Sequence, residues 1–200
     1  MKRVFVFAII LLNNLAYSSV HLGPGQTYSN IEKAFSAGAI QAGDTVYLHA
    51  GSYYGYQGIQ SLKGTADKWI VITVFQNDKI DIAGTWQFMS CEYIKFLKLT
   101  FRGNASYPGR LLSVDNSGSC TTQSRFIKVD SCDFSNVTDA NSIAGFKFGG
   151  VDNFELTNNY FHEFTAVSTI DFNVCHKGII RGNVIENCLT GGHTRAVHRT

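Results

Sequence analysis

One nine-residue pattern returns down the second half of this chain, and its spacing limits the fold more than any other feature. It reads Phe-Ile-Lys-Val-Asp-Ser-Cys-Asp-Phe at 126–134, Asn-Phe-Glu-Leu-Thr-Asn-Asn-Tyr-Phe at 153–161 and Lys-Gly-Ile-Ile-Arg-Gly-Asn-Val-Ile at 177–185. Each copy carries inward apolar residues, a polar turn and a closing apolar residue. The closing residues Phe134, Phe161 and Ile185 lie 27 and 24 residues apart (161−134, 185−161). An irregular period of that size marks a stacked array. The units are too short and too rich in β-formers for helical hairpins, so they predict the coils of a parallel β-helix.

Aligning the coils makes the pattern a ruler. Gly145–Gly149 sits over Thr169–Asn173, and alternation turns Phe146, Phe148, Ile170 and Phe172 inward. Lys147, Gly149, Asp171 and Asn173 then face out, and Leu112–Asp115 places Ser113 and Asp115 on the same outer face. Continuing the 24-residue step from Lys147 to Asp171 puts Arg195 next in that column. Asn159 and Asn183 share the turn position before the closing residue, where stacked amides can bond from coil to coil. Ile94, Phe96 and Phe101 are expected inside, and Arg102–Gly109 and Ser117–Ser124 are expected to bulge from the stack as loops.

The ruler also reads the cysteines, Cys91, Cys120, Cys132, Cys175 and Cys188. Cys91 and Cys175 fall in one column but three coils apart, about 14 Å at the spacing of adjacent strands, too far for a disulfide. No pair has zinc-site spacing. The five are expected to pack as small hydrophobes.

Two features precede the coils. Residues 1–18 have the layout of a secretory signal: Lys2 and Arg3, an apolar run from Val4 to Leu12, then Ala16 and Ser18 as small residues before cleavage. The remaining 19–200 form one domain of exported protein. Removing Lys2 and Arg3 from 17 basic residues leaves 15 against 15 acidic, so the formal charge falls from +2 to about zero. That balance gives no basis for electrostatic capture of nucleic acid or membrane, and no segment is long enough to span a bilayer. Ser29-Asn30-Ile31-Glu32 reads as a capping box with Ser29 as N-cap, opening a short helix that buries Ile31, Ala34 and Phe35 and ends at Gly38. This helix is expected to cap the first coil.

The segment Ala42–Gly55, AGDTVYLHAGSYYG, follows that helix and leads into the coils. It resembles the opening of secreted right-handed parallel β-helix proteins of the pectate lyase-like superfamily, with chondroitinase B and alginate lyase type enzymes among them. The resemblance covers the whole mature chain as architecture. It implies an all-β, right-handed parallel β-helix with an N-terminal capping helix, acting as a monomer on an extracellular, acidic polysaccharide. Lyases of this kind use Lys and Arg on the outer face of one sheet, with calcium held by carboxylates. Carried onto this sequence, Lys147 is the candidate base or charge stabiliser, Arg195 the clamp on a uronate carboxylate, and His193 a candidate acid or base. Asp115 and Asp171 are the candidate calcium ligands, and Ser113 and Asn173 candidate substrate contacts. The same residues also read as an ordinary surface salt ladder.

Other chemistries remain open. Asp130 and Asp133 could serve a glycosidase, although Asp130 points out of its strand and Asp133 falls in a turn. His162 and His176 read as exposed. Tyr53, Tyr54, Tyr56, Trp86 and Tyr107 could stack on sugar rings, whereas Trp69 opens an apolar strand and reads as core. Asn104 and Asn136 begin glycosylation sequons. There is no phosphate-binding Gly loop and no zinc motif. The last unit, from Gly191, stops mid-coil at Thr200, as in a fragment truncated at its C-terminal end. A non-catalytic carbohydrate-binding, adhesion or structural module is the alternative to an enzyme.

Overall fold

The computed structural model describes residues 18–118, 121–138, 144–165, 168–188 and the backbone of 193–195. The expected export signal (apart from Ser18), Cys120 and the tail after Arg195 lie outside the described residues. The chain winds into a right-handed parallel β-solenoid of about six turns, so the architecture is the one the repeat implies.

Three parallel sheets line the solenoid. Sheet A stacks Ser19–Leu22, Thr45–Leu48, Ile70–Val74, Glu92–Leu97, Ser124–Asp130, Val151–Thr157 and Ile179–Arg181. Sheet B stacks Gly51–Tyr54, Ile80–Ala83, Thr100–Arg102, Asp133–Ser135, Tyr160–His162 and Val184–Glu186. Sheet C stacks Gln57–Gln60, Trp86–Met89, Leu112–Asp115, Phe146–Gly149, Ile170–Asn173 and His193–Arg195. Each strand is short because the chain must turn a corner before it can add another inward residue.

Parallel pairing in register puts like on like. Phe101, Phe134 and Phe161 are fully buried and stack face to face, with ring centroids 5.0 and 4.8 Å apart and planes within 6°. Phe88, Val114 and Phe148 form a second inward row across sheet C. The ring spacing matches the separation of neighbouring strands, so the column takes the period of the backbone ladder without strain. In the last described coil Ile180 and Ile185 continue inward columns yet stay half exposed, at 54% and 47%.

The corners explain how the register survives. From sheet A to sheet B the link is two residues long in the last four coils: Lys98-Leu99, Ser131-Cys132, Asn158-Asn159 and Gly182-Asn183. The first residue of each is left-handed, with φ of 55, 55, 56 and 68°. A left-handed residue turns the chain sharply, at a cost of about 1–2 kcal/mol for most side chains. The second residue points in, and there the asparagine ladder forms. Asn159 Oδ1 accepts from the Cys132 N–H at 2.9 Å. Asn159 Nδ2 donates to the Val129 carbonyl at 3.0 Å and to Asn183 Oδ1 at 2.9 Å, and Asn183 Nδ2 donates to the Leu156 carbonyl at 2.7 Å. These amides satisfy backbone groups that a bare corner would leave buried and unpaired.

The helix Ile31–Ser36 packs on the first strands of sheets A and C and buries Ile31 and Ala34. Its N-cap is Asn30 rather than Ser29, with Asn30 Oδ1 accepting from the Lys33 N–H at 3.0 Å. Asn30 already has extended backbone, so the helix starts one residue later than the capping box implied. At the other end Gly38, at φ 68°, donates to the Phe35 carbonyl and Ala39 to the Ala34 carbonyl, the paired bonds of a Schellman motif.

Cys91 and Cys132 are buried, Cys175 and Cys188 partly so, and all four are free thiols. Burial pushes the thiols of Cys91 and Cys132 up to about 12. Both should therefore resist iodoacetamide in the native protein at pH 8 and react only after denaturation, as read by mass spectrometry. Labelling of Cys132 as fast as in the unfolded chain would contradict this packing. Replacing Asn159 with alanine strands the Cys132 N–H and should cost about 1–3 kcal/mol in urea unfolding. A midpoint equal to wild type would remove the ladder from the list of stabilising interactions.

Candidate functional site

In the central coils of sheet A the outward cations pair with carboxylates, whereas Arg181 on the last described rung makes no ion pair among the described residues. Lys63 pairs with Glu92 at 2.8 Å, Arg125 with Glu92 at 3.6 Å, Lys95 with Asp130 at 3.4 Å and Lys128 with Glu155 at 3.1 Å. On sheet C one outward cation is unpaired too. Lys147 makes no ion pair or hydrogen bond among the described residues, although Asp171 is its neighbour in register.

Lys147 stands in a cleft of about 430 Å³ on the outer face of sheet C. Gln87, Asp115 and Asn116 line one side, and Gly149, Asn173 and Val174 the other. Of the residues expected to act, the cleft thus gathers Lys147, Asp115 and Asn173. Ser113 and Asp171 are in the same face but buried, at 0% and 6% exposure. An outward position on a crowded sheet is not the same as access to solvent. The Ser113 hydroxyl, flanked in register by Gln87 and Lys147, donates to Asp115 Oδ2 at 3.5 Å. Asp171 Oδ2 accepts from Asn173 Nδ2 at 2.6 Å.

The register corrects one expectation. His193, not Arg195, pairs with Asp171, and Arg195 pairs with Asn173. The final coil is two residues shorter than the one before: ten residues separate Phe161 from Asp171 (171−161), but eight separate Ile185 from His193 (193−185). A slip of two preserves the inward–outward alternation, so Arg195 stays on the outer face in a different row. The side chains of His193 and Arg195 lie outside the described residues.

Asp115 is the best-anchored group in the cleft. Its Oδ1 accepts from the Ser117 N–H at 3.0 Å and its Oδ2 from Gln87 Nε2 at 2.7 Å, besides the Ser113 hydroxyl. Gln87 Oε1 in turn accepts from the Tyr56 hydroxyl at 2.9 Å. Calcium needs six to eight oxygen ligands. Among the described residues no group of three His, Cys, Asp or Glu side chains could hold a metal ion, and the Asp115 oxygens are already occupied by donors. The described residues do not fit a calcium cage.

Gln87 is the contact that the sequence does not single out, and it ties the cleft to Tyr56, one of the candidate sugar-stacking rings. Gln87 lies 26 residues before Ser113 (113−87), one coil by the same ruler, and the alternation of Trp86–Met89 turns it outward. Val174 was also unforeseen. It is a β-branched residue at φ 52°, 53% exposed on the cleft wall, and such backbone strain in a valine is rare.

The two tryptophans exchange their expected roles. Trp86 is fully buried in an inward row of sheet C. Trp69 precedes the inward Ile70, so alternation turns it out, where it meets Tyr93 edge-on at 5.4 Å and carries Lys128 Nζ 4.8 Å above its ring. Tyr53 is buried, with its hydroxyl donating to the Leu22 and His49 carbonyls, whereas Tyr54 and Tyr56 are exposed. His162 is not free at a turn: it stacks on Tyr160 at 4.3 Å and meets Asp133 Oδ1 at 3.2 Å. Asp133 lies within a strand rather than in a turn.

Asp130 and Asp133 have separate partners: Asp130 accepts from Thr157 and Asn158, and Asp133 meets His162. Asp130 pays for partial burial, which raises its pKa, but hydrogen bonds from Asn158, Thr157 and Lys95 outweigh that and leave it below the ordinary carboxylate value. Its stabilising contribution is therefore complete above the unfolded-state pKa near 3.9 and is lost as pH falls through the lower folded value. Asp130→Asn should lower stability at pH 7, with the gap to wild type closing only in strong acid. A gap that stays constant from pH 7 to pH 2 in urea titrations would contradict this.

Comparison with known families, with curated proteins and with solved structures finds no match to this chain. Among the described residues no helix is long and apolar enough to cross a membrane.

Proposed function

We propose that this exported solenoid processes an extracellular polysaccharide containing uronic acid, by β-elimination in the sheet C cleft. One observation carries the reading: Lys147 is a cation without an ion pair in the sheet C cleft, while the outward cations Lys95, Arg125 and Lys128 in the central coils of sheet A pair with carboxylates. An ammonium aimed at a sugar carboxylate stabilises the charge that develops when the adjacent carbon loses its proton to a base. The electron pair left by that proton forms the new C=C bond as the glycosidic C–O bond breaks, and the leaving oxygen takes a proton from water. The products are an unsaturated uronate and a free chain end.

In this reading Lys147 holds the carboxylate, and Asn173 and the anchored Asp115 orient sugar hydroxyls. His193 lies two rungs from Lys147 by register, about 10 Å along the stack. It is the candidate base, and Arg195, beside Asn173, the second clamp.

A specific observation favours a second reading, carbohydrate binding without catalysis. Both oxygens of Asp115 are engaged by donors, so the one described carboxylate in the cleft is not free to take a proton.

Absorbance at the unsaturated uronate band, with alginate, pectate and chondroitin as substrates, separates the two. The full chain should generate the band on one of them, and Lys147→Ala should lower the rate about 10²–10³-fold with an unchanged unfolding midpoint. Retained polymer binding with no band on any substrate would establish the binding module instead. Neither band nor binding would dismiss both.

A further inference from the structure

Outside the cleft, the outer face of sheet C carries one aromatic ring held in an unusual way. Tyr56 precedes the strand Gln57–Gln60, and the outer end of its ring packs over Gly58. A Cβ at Gly58 would come within 2.8 Å of Tyr56 Cε1, 3.0 Å of its hydroxyl oxygen and 3.2 Å of Cζ. The glycine therefore makes the seat for the ring. The hydroxyl is tied to Gln87 Oε1 at 2.9 Å, on the next rung. Packed over Gly58 and tethered at its tip, the ring still leaves 55% of Tyr56 exposed. An aromatic surface held in place and open to solvent is pre-organised for stacking.

The tether joins this ring to the cleft. Gln87 touches Tyr56 on one side, donates to Asp115 on the other and lines the cleft itself. Gly58, Gln87, Ser113 and Lys147 form one row across four consecutive rungs. Three steps separate the Tyr56 seat from Lys147, about 14 Å along the solenoid axis.

Building on the uronate reading of the cleft, we infer that Tyr56 is a remote stacking subsite for the same glycan, which lies along the solenoid axis across these rungs. One sugar packs its C–H face on the Tyr56 ring while a uronate several units away sets its carboxylate on Lys147. Gln87 and Asp115 offer an amide and a carboxylate to the hydroxyls between. The ligand is thus an acidic oligosaccharide long enough to reach both ends, and short ones engage the cation alone.

Titration calorimetry with disaccharides and hexasaccharides of alginate, pectate and chondroitin tests this. Tyr56→Ala should weaken hexasaccharide binding about tenfold and leave disaccharide binding unchanged. Tyr56→Phe keeps the ring and loses only the tether, so it should stay within about twofold of wild type. Gly58→Ala displaces a movable ring rather than backbone, and should reproduce much of the Tyr56→Ala loss with an unchanged unfolding midpoint. Wild-type hexasaccharide affinity in Tyr56→Ala, alongside a loss in Lys147→Ala, overturns the subsite and leaves the uronate reading standing. Equal losses on both ligand lengths, or a Tyr56→Phe defect as large as Tyr56→Ala, also overturn it. A wild-type protein that binds none of these sugars overturns subsite and uronate reading together.

Discussion

Each coil must climb by one strand spacing and return in register, and the rest of the structure depends on that constraint. It fixes the vertical neighbour of every side chain, so a residue type placed at one position is tested against its own column rather than a generic core. Aromatic columns satisfy the test by stacking at the backbone's own period, as Phe101, Phe134 and Phe161 do. Polar columns satisfy it by passing hydrogen bonds along the axis, as Asn159 and Asn183 do. A return within two residues requires left-handed corners, and left-handed backbone occurs at fifteen described non-glycine positions, three of which, Tyr93, Phe126 and Asn153, lie within sheet A strands. Their cost is offset by the burial and pairing that the closed coil secures.

Most of the scaffold could be read from the sequence because the fold is repetitive. Alternation within Phe146–Gly149 and Ile170–Asn173 fixed which residues face in, and the spacing of Phe134, Phe161 and Ile185 fixed the coil length. What escaped were events at the corners. No periodicity announces that Val174 turns left-handed, or that the last coil is two residues shorter in register and moves Arg195 into a new row. The tryptophans show a related limit: composition marks both as apolar, and only strand parity distinguishes Trp86 inside from Trp69 outside.

The candidate site was half legible for the same reason. Lys147, Asp115 and Asn173 were placed on one face by alternation, and the structure puts them in one cleft. Alternation gives direction but not depth, so Ser113 and Asp171 were expected at the surface and are buried. The network through Gln87 joins neighbouring coils, and contacts between coils appear only once the register is known. What singles out Lys147 is its setting: the central coils of sheet A close their cations into pairs, and sheet C leaves one open within a cleft.

The corners also divide the molecule by what it can change. In the last four coils the A-to-B link is two residues every time, whereas the B-to-C link holds nine, ten, seven and six residues in turn (103–111, 136–145, 163–169, 187–192). The A–B seam is thus a keel of constant length, and length variation is absorbed along both borders of sheet C, where the C-to-A link in these coils runs from one residue (150) to eight (116–123). A lineage built on this scaffold can change the length of either corner, as the steps from nine to ten to seven residues show, without turning a single core residue outward. The face beside it can be refitted for a different ligand while the seam opposite keeps the coils aligned.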